Sequence, residues 1–339
     1  MKKSLIILLV FTLLTSCATN LSYDGRTFKK AYESITKDDL EKHLYIVASD
    51  EMEGRNTGSE GQKKSGKYLI EEYKKMGISH PKMMADFYQK IPSSYFGTRR
   101  GNTYPDSENI LAYIEGTEKP NEIIVISAHY DHIGINNDGE IRNGADDDGS
   151  GTVALLEIAE AFQKAKKAGK APKRSILFLH VTAEEIGLLG SKFYVENPIF
   201  PLANTVVNLN IDMIGRSDKD NEGKDYVYII GSDMLSSELK TIGEAANEKT
   251  VKLELNYKYD DPNDPQRLYY RSDHYNFAKN NIPAAFYFNG VHEDYHKPSD
   301  TPDKIDYDLL KKRTKLIFAT AWELANRNDK IIVDGKNTR

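Results

Sequence analysis

The sequence predicts an α/β fold in which a largely parallel sheet is covered by helices. Three short apolar runs, 123–126, 176–179 and 206–211, contain no charged residue and are rich in β-branched and aliphatic side chains. Such runs are typical of central strands buried on both faces. Between the first two, residues 152–168 carry apolar side chains at helical spacing. A strand–helix–strand order of this kind favours parallel strands joined by a crossover helix.

The first residues have the pattern of an export signal. Lys2 and Lys3 precede an apolar run over 5–14, which is about half the roughly 20 residues that a spanning helix needs. The residues around Cys17, the only cysteine in the sequence, resemble a bacterial lipoprotein cleavage site. We expect residues 1–16 to be removed and Cys17 to be lipidated, giving a cell-envelope lipoprotein in the outer membrane or facing the periplasm. An ordinary secretory signal that happens to contain a cysteine is the alternative.

The rest of the chain is interpreted as a tether followed by one domain. Residues 17–37 are polar and lack a strong period, which favours a tether. A helical pattern over 40–76 is interrupted by a glycine-rich loop at 53–61. Because no Pro/Gly-rich linker divides the remaining residues, the sequence predicts a single domain over 38–330 and a C-terminal tail over 331–339.

Composition excludes several classes of function. The 339 residues are 39% hydrophobic and 29% charged, with a net charge of −5, the proportions of a soluble globular protein. A mildly acidic chain offers no basic surface for nucleic acid, so we expect no nucleic-acid partner. A single cysteine excludes both an intrachain disulfide and a cysteine-based metal site.

Side chains with metal-binding chemistry follow each predicted strand. His129 comes after the first apolar run, Glu184 and Glu185 follow the second, and Asp212 follows the third. In open parallel sheets functional residues gather at the carboxyl ends of the strands. The sequence therefore predicts a site at this edge of the sheet.

An acidic run and a late histidine extend this pattern. Residues 146–148 are three consecutive aspartates, whose mutual repulsion is relieved most simply by a cation. The alternative is a solvated acidic turn with a helix N-cap at Ser150. His296 lies in a turn-rich segment, where a single histidine by itself is more often structural than a ligand.

Taken together, the motifs resemble a known family. The sequence is similar to the dinuclear zinc aminopeptidases of the bacterial leucyl aminopeptidase type, a family that also includes glutamate carboxypeptidase-like enzymes. With the loop at 54–55 the matching segments cover roughly residues 50–325, and they are 129–131, 144–151, 183–191, 210–213, 271–274 and 295–296. The resemblance implies the zinc-exopeptidase fold (phosphorylase/hydrolase-like), a three-layer αβα sandwich with a mostly parallel, mixed central sheet.

The resemblance also implies two zinc ions per chain. The implied ligands are His129 and Asp212 for one ion, Glu185 and His296 for the other, and Asp147 between the two. Asp147 is selected within the acidic run because the family pattern places the bridging aspartate three residues before the serine, here Ser150.

Four further residues receive roles from the same resemblance. Asp131 would orient the ring of His129, as zinc-bound histidines usually require. Glu184 would act as general base, and Tyr295 would help to hold the oxyanion. Arg271 falls where some relatives have a substrate-pocket arginine. The implied reaction is removal of N-terminal residues from peptide substrates by a hydroxide shared between the zinc ions.

Three alternative functions remain open at this point. A carboxypeptidase or dipeptidase would use nearly the same metal site. A glutaminyl cyclase has a related fold but uses one zinc, and the acidic run together with the segment 184–191 looks more like a peptidase. A non-enzymatic surface lipoprotein would be expected to have lost ligands or the base, whereas every expected position is filled here.

The lipoprotein interpretation makes a direct prediction. If Cys17 is lipidated, wild-type protein should fractionate with membranes and incorporate labelled fatty acid. The Cys17→Ala variant should do neither. Equal recovery of both forms in the soluble fraction would contradict the anchor.

Overall fold

Helices cover both faces of a mixed eight-stranded sheet. The computed structural model describes residues 23, 25–99, 101–261 and 263–335. Its strands are β1 (Tyr88–Ile91), β2 (Ser107–Ile114), β3 (Lys119–His129), β4 (Arg174–Val181), β5 (Thr205–Ile211), β6 (Tyr226–Ile230), β7 (Glu254–Asn256) and β8 (Ala284–Phe288). Its α-helices are α1 (Arg26–Glu33), α2 (Lys37–Val47), α3 (Glu60–Met76), α4 (Ser93–Phe96), α5 (Gly151–Lys167), α6 (Leu189–Glu196), α7 (Ser237–Lys249), α8 (His274–Ala278) and α9 (Tyr307–Asn326).

The strand directions bring several chain segments to one edge of the sheet. The order is β1-β2-β4-β3-β5-β8-β6-β7, and the four neighbours β4, β3, β5 and β8 run parallel. Antiparallel pairing of β2 with β4, and of β6 with β8, makes the sheet mixed. The predicted three-layer fold with a mostly parallel, mixed sheet is confirmed. All segments that leave the four parallel strands therefore begin at the same edge.

The three apolar runs form the centre of the sheet because both of its faces are covered. In β3, Ile124 and Ile126 belong to the core on the side of α5 and α9, whereas Ile123 and Val125 pack towards α6 and α8. Successive side chains of a strand point to opposite faces, so a strand covered on both sides needs an uninterrupted apolar run. This explains the runs of β3 and β4, whereas β5 places the buried residues Asn208 and Asn210 on one face, where they donate to the hydroxyls of Ser127 and Ser272.

The predicted crossover helix is present as α5, but it begins differently from the N-cap alternative. The Ser150 hydroxyl donates to the main-chain oxygen of Asp146 at 2.8 Å instead of accepting from the first turn. Asp148 takes that role, since its Oδ1 accepts from the main-chain N–H of Gly151 at 2.9 Å. One member of the acidic run thus has a structural role at the start of the helix.

The tether prediction for 17–37 is wrong for the described part of that segment. Helix α1 lies within it, with Phe28 and Ala31 buried in the main core. The Phe28 ring stacks on Phe318 of α9, with 5.8 Å between centroids. Apolar residues are few in α1 and separated by charged ones, so its burial depends on partners supplied from the far end of the chain. Cys17 and the predicted signal peptide over 1–16 lie outside the described residues.

The start of the predicted C-terminal tail also packs against the domain. Ile331 is buried, and the main-chain N–H of Gly335 donates to the oxygen of Leu235 at 3.1 Å. Asp334 accepts from the hydroxyl of Ser237 at 2.6 Å. Across the ranges that the structure describes, no helix has the length and apolar character needed to span a membrane.

The aromatic contact between α5 and α9 yields a stability prediction. Phe162 is fully buried, and its ring centroid lies 4.9 Å from that of Phe318 and 5.8 Å from that of Trp322. Phe162→Ala should lower the free energy of unfolding by about 3–5 kcal/mol because it leaves a cavity. Urea unfolding followed by circular dichroism measures this. Tyr45→Ala, at a side chain that is 47% exposed, is the control, and a loss no larger than that of the control would contradict the prediction.

Candidate metal centre

Four parallel strands deliver polar side chains to the same edge. His129 is the last residue of β3, Asp212 directly follows β5, and Glu184 and Glu185 lie in the turn after β4. His296 comes from the longer segment after β8. The five predicted metal ligands, which include Asp147 from the loop between β3 and α5, are therefore brought together by the fold.

Asp148 is the most structurally engaged of the three consecutive aspartates. Its carboxylate is fully buried and accepts from the main-chain N–H groups of His129 at 3.1 Å, Gly151 at 2.9 Å and Met213 at 3.1 Å. These residues lie at the end of β3, the start of α5 and just after β5. Asp148 thus links the three segments, and its carboxylate oxygens are satisfied within the protein.

Asp146 is also held by neighbouring protein groups. Its Oδ1 accepts from the main-chain N–H of Gly215 at 2.6 Å, and its Oδ2 lies 3.1 Å from Nε2 of His292. The carboxylate of Asp300 in turn accepts from the main-chain N–H groups of Asp146 and Asp147 at 3.1–3.2 Å. The backbone of the acidic run is therefore fixed from outside.

Asp147 contacts two separate groups of side chains. Its Oδ1 lies 3.3 Å from Nε2 of His129, while its Oδ2 lies 3.0 Å from Nε2 of His296. Asp212 Oδ1 is 3.6 Å from the same atom of His129, and Glu185 Oε2 is 3.2 Å from that of His296. The Asp147 carboxylate therefore belongs to both groups, with one oxygen directed to each.

These separations fit metal coordination. Two donor atoms bound to one tetrahedral zinc at roughly 2.0–2.1 Å lie about 3.3 Å apart. Nε2 of His129 and Oδ2 of Asp147 are buried and have no hydrogen-bond partner, which is costly unless something else satisfies them. Imidazole nitrogen and carboxylate oxygen are typical zinc donors. The residues present could therefore hold a metal ion such as zinc.

The charges at the site are strongly coupled. Burial by itself would lower the pKa of His129, but the carboxylates of Asp212, Asp131 and Asp147 outweigh it and raise that pKa well above its usual range. Burial would raise the pKa of Asp147, whereas His129 and His296 lower it well below its usual value. Asp147 is therefore ionised and available as an acceptor.

The ring of His129 is oriented by Asp131, although not through the predicted carboxylate. Nδ1 of His129 is 3.0 Å from the main-chain oxygen of Asp131, and the Asp131 carboxylate lies farther away, at 3.7 Å. That carboxylate accepts from the hydroxyl of Thr57 at 2.9 Å and from the main-chain N–H of Glu184 at 3.2 Å. Asp131 thus fixes the turn that carries Glu184 as well as the imidazole ring.

Ser272 and Arg55, which are not among the predicted ligands, also support the site. Ser272 donates its hydroxyl to Asp212 Oδ2 at 2.6 Å and accepts from Asn210 at 2.8 Å, which leaves Oδ1 of Asp212 directed at His129. Ser272 belongs to the 271–274 motif, but its hydrogen bond depends on how β5 and α8 pack. No spacing in the sequence indicates that contact.

Arg55 fixes the base of the acidic loop. Its guanidinium is fully buried and donates to the main-chain oxygens of Tyr130 at 3.0 Å, Val47 at 2.8 Å, Asn143 at 2.6 Å and Gly144 at 2.8 Å. The glycine-rich loop at 53–61 therefore positions a cation beneath the run of aspartates, which moderates the repulsion among them.

His132 is a further residue that the sequence analysis did not select as a ligand. It is fully buried, and its Nδ1 lies 2.8 Å from Glu185 Oε1 and 3.8 Å from Asp147 Oδ2. Its position three residues after His129, in the same segment that leaves β3, is the sequence feature that could have indicated a second histidine at the site.

A cleft with apolar walls opens beside Asp147, Glu184 and Asp212. The other residues that line it are Met213, Leu268, Arg271, Phe286, Phe288, Val291 and Tyr295. The Tyr295 ring stacks on His296, with centroids 3.8 Å apart. Arg271 is exposed at this cleft. Burial, together with the carboxylates of Glu185 and Asp212, raises the pKa of Glu184 well above its usual range, against an opposing effect of His129.

The mixed sheet and the donor cluster together define an α/β protein built around a metal site. The chain belongs to peptidase family M28, whose family profile matches residues 109–321, more than half of the sequence. The recognition of this family from the motifs is confirmed.

Individual relatives agree with this membership. A probable leucine aminopeptidase from Arthroderma otae is 32% identical over 225 residues, which is 65% of this chain and 58% of the relative. The chain spans about half the length of the curated relatives it matches.

Solved structures agree in fold. The LapA aminopeptidase of Legionella pneumophila superposes with a TM-score of 0.69 at 21% identity, covering 97% of this chain and 81% of that one. A Porphyromonas gingivalis glutaminyl cyclase superposes with a TM-score of 0.67 at 19% identity, covering 84% and 97%. At such identities the likeness concerns the fold alone, so the function has to be argued from the side chains.

Proposed function

We propose that this protein is a zinc-dependent aminopeptidase that removes N-terminal residues from peptides. The observation that carries the proposal is the position of Asp147, whose two oxygens face two separate sets of histidine and carboxylate donors. A shared carboxylate between two such sets is the arrangement expected of a two-metal hydrolase. The names of its family relatives support peptide-bond hydrolysis.

Two zinc ions would be held by the residues of this centre. His129 and Asp212 would hold one ion, Glu185 and His296 the other, and Asp147 both. Zinc in such a site lowers the pKa of a coordinated water and polarises a carbonyl group. The remaining chemistry falls to the protein's own side chains.

Glu184 is placed for proton transfer. It lines the cleft beside Asp147 and Asp212, and its main chain is held by the carboxylate of Asp131 at 3.2 Å. Unlike Glu185, it makes no close contact with His296 or His132 among the described ion pairs. Glu184 would take a proton from the attacking water and return it to the departing amine, as a general base and then a general acid.

Tyr295 would donate to the negative charge that develops on the substrate carbonyl oxygen. Burial and the nearby carboxylates of Asp147, Glu185 and Glu184 raise the pKa of its phenol well above the usual range. The hydroxyl therefore stays protonated at neutral pH and can act as a hydrogen-bond donor. Its stacking on His296 fixes the ring beside the donor cluster.

The cleft supports recognition of a free N-terminus. The carboxylates that line it, including Asp212 and Glu184, would attract the positively charged α-amine of a peptide. The apolar wall formed by Met213, Phe286 and Phe288 would accept an apolar side chain of the first residue. Arg271 at the cleft would contact the peptide beyond the bond that is cleaved.

A matched substrate panel tests the proposed activity. Aminoacyl-nitroanilides with apolar residues should be hydrolysed, N-acetylated forms of the same compounds should not, and a chelator should abolish the activity until zinc is restored. Cleavage of blocked peptides from their C-terminus would instead indicate a carboxypeptidase. Cyclisation of peptides with N-terminal glutamine would indicate a glutaminyl cyclase. No turnover in any arm would contradict the proposal.

The neighbouring residues Glu184 and Glu185 should separate proton transfer from metal binding. Glu184→Gln should keep near-normal zinc content yet lose roughly 10²–10⁴-fold in kcat, the range typical of a removed general acid–base. KM should change much less, because the contacts to carbonyl and amine remain. Glu185→Ala should lose zinc and activity together.

Metal analysis, steady-state kinetics and thermal unfolding on the same preparations check this prediction. Glu115→Gln, at an exposed carboxylate paired with Lys82, is the control for the substitution itself. Full activity in Glu184→Gln, or zinc loss equal to that of Glu185→Ala, would mean that the two roles are misassigned.

We also propose that the protein is exported and anchored to a cell-envelope membrane through a lipid on Cys17. The proposal rests on the residues before position 23, which the structure does not describe, and the fatty-acid labelling of Cys17→Ala tests it.

A further inference from the structure

His132 is held rigidly beside the metal centre. It follows the end of β3 by three residues, and its main-chain N–H donates to the oxygen of Arg55 at 3.0 Å. Its ring lies against Gly144, where an added Cβ would come within 2.6 Å of Cγ and Cδ2 of His132. Gly144 also has a positive φ of 56°, so two independent constraints favour glycine there. The imidazole therefore has little room to turn away.

The contact between His132 and Glu185 is short, but its geometry does not satisfy either atom. Nδ1 of His132 and Oε1 of Glu185 are 2.8 Å apart, yet both atoms are buried without a hydrogen-bond partner. Leaving two such atoms unsatisfied is costly. The short contact is explained if both atoms are directed at a third group that lies between them. A metal ion is such a group, because it can bind an imidazole nitrogen and a carboxylate oxygen at the same time.

We propose that His132 is a ligand, through Nδ1, of the metal ion assigned to Glu185 and His296. This inference rests on the metal centre of the proposed function and adds a protein ligand to it. One donor atom each from His132, Asp147 and Glu185 lies within 4.8 Å of the others, and the ring of His296 meets that of His132 edge to face with 5.7 Å between centroids.

The two metal positions then differ in chemistry. One has a single imidazole with the carboxylates of Asp147 and Asp212, whereas the other has two imidazoles with those of Asp147 and Glu185. Nitrogen donors favour zinc over the hard cations magnesium and calcium. The position with two imidazoles should therefore fill first and release zinc last.

Spectroscopy of the zinc-loaded protein tests the assignment directly. X-ray absorption at the zinc edge reports imidazole ligands. Wild-type protein with two zinc ions should show three imidazoles shared between them, and His132→Gln should show two. Zinc competition titration should show one ion retained at wild-type affinity and the other weakened by more than the roughly 10–100-fold that loss of an outer partner causes.

His43→Gln is the matched control. His43 is another buried histidine, paired with Tyr68 and lying near Glu157 away from the metal centre. It should keep both zinc ions and an unchanged absorption spectrum, so any difference seen for His132→Gln is specific to position 132.

The outcomes separate the inference from the proposed function. An unchanged imidazole count in His132→Gln, even with weaker zinc binding, would overturn the ligand assignment while leaving the aminopeptidase proposal intact. Failure of the wild-type protein to bind zinc would overturn both. If His132→Gln does not fold, anomalous diffraction from zinc-loaded wild-type crystals decides. A zinc–Nδ1 distance of about 2.0–2.1 Å supports the proposal, and a distance beyond about 3 Å overturns it.

Discussion

The carboxylate of Asp148 is the interaction on which the site most depends. It holds the main-chain N–H groups at the end of β3, at the start of α5 and just after β5. Those three segments carry His129, the acidic loop and Asp212. Because backbone N–H groups that leave a sheet need acceptors, one buried aspartate both satisfies the strand ends and sets the spacing of the side chains that converge there. Its neighbour Asp147 is left free to face the two donor sets.

The carboxylates gathered at this edge of the sheet repel one another unless positive charge lies nearby. The protein's own cations supply only part of that positive charge. Arg55 places a guanidinium beneath the acidic loop, but all of its described hydrogen bonds go to main-chain oxygens. It therefore orders the backbone and neutralises charge at a distance without occupying any carboxylate. His292 lies 3.1 Å from Asp146 through its Nε2. The central carboxylate keeps both oxygens available, which is the condition that a site for divalent cations needs.

Much of the fold, and the convergence of His129, Glu185 and Asp212 at one edge of the sheet, could be predicted from the sequence, because both follow from local pattern. Short runs rich in aliphatic residues and free of charge indicate β3, β4 and β5, and the residues after them converge as parallel strands require. Choosing Asp147 among three aspartates needed the family pattern, since identical side chains are distinguished only by tertiary partners. Helix α1 lies in a segment whose sequence predicts a tether, because its few apolar residues are buried only against α5 and α9 from distant parts of the chain. The proximity of His132 to Glu185 depends on a turn whose path is set by Arg55 and Gly144.

The start of α1 lies at the edge of the sheet opposite to the metal-binding side chains. Residues 25–28 lie beside Thr117, Glu118 and Lys173, which precede β3 and β4 and so mark the edge of the sheet opposite to His129. The 11 residues of β3 separate the two edges by roughly 30–35 Å. A tag or resin attached at residue 25 would therefore hold the molecule at the edge of the sheet opposite to the cleft.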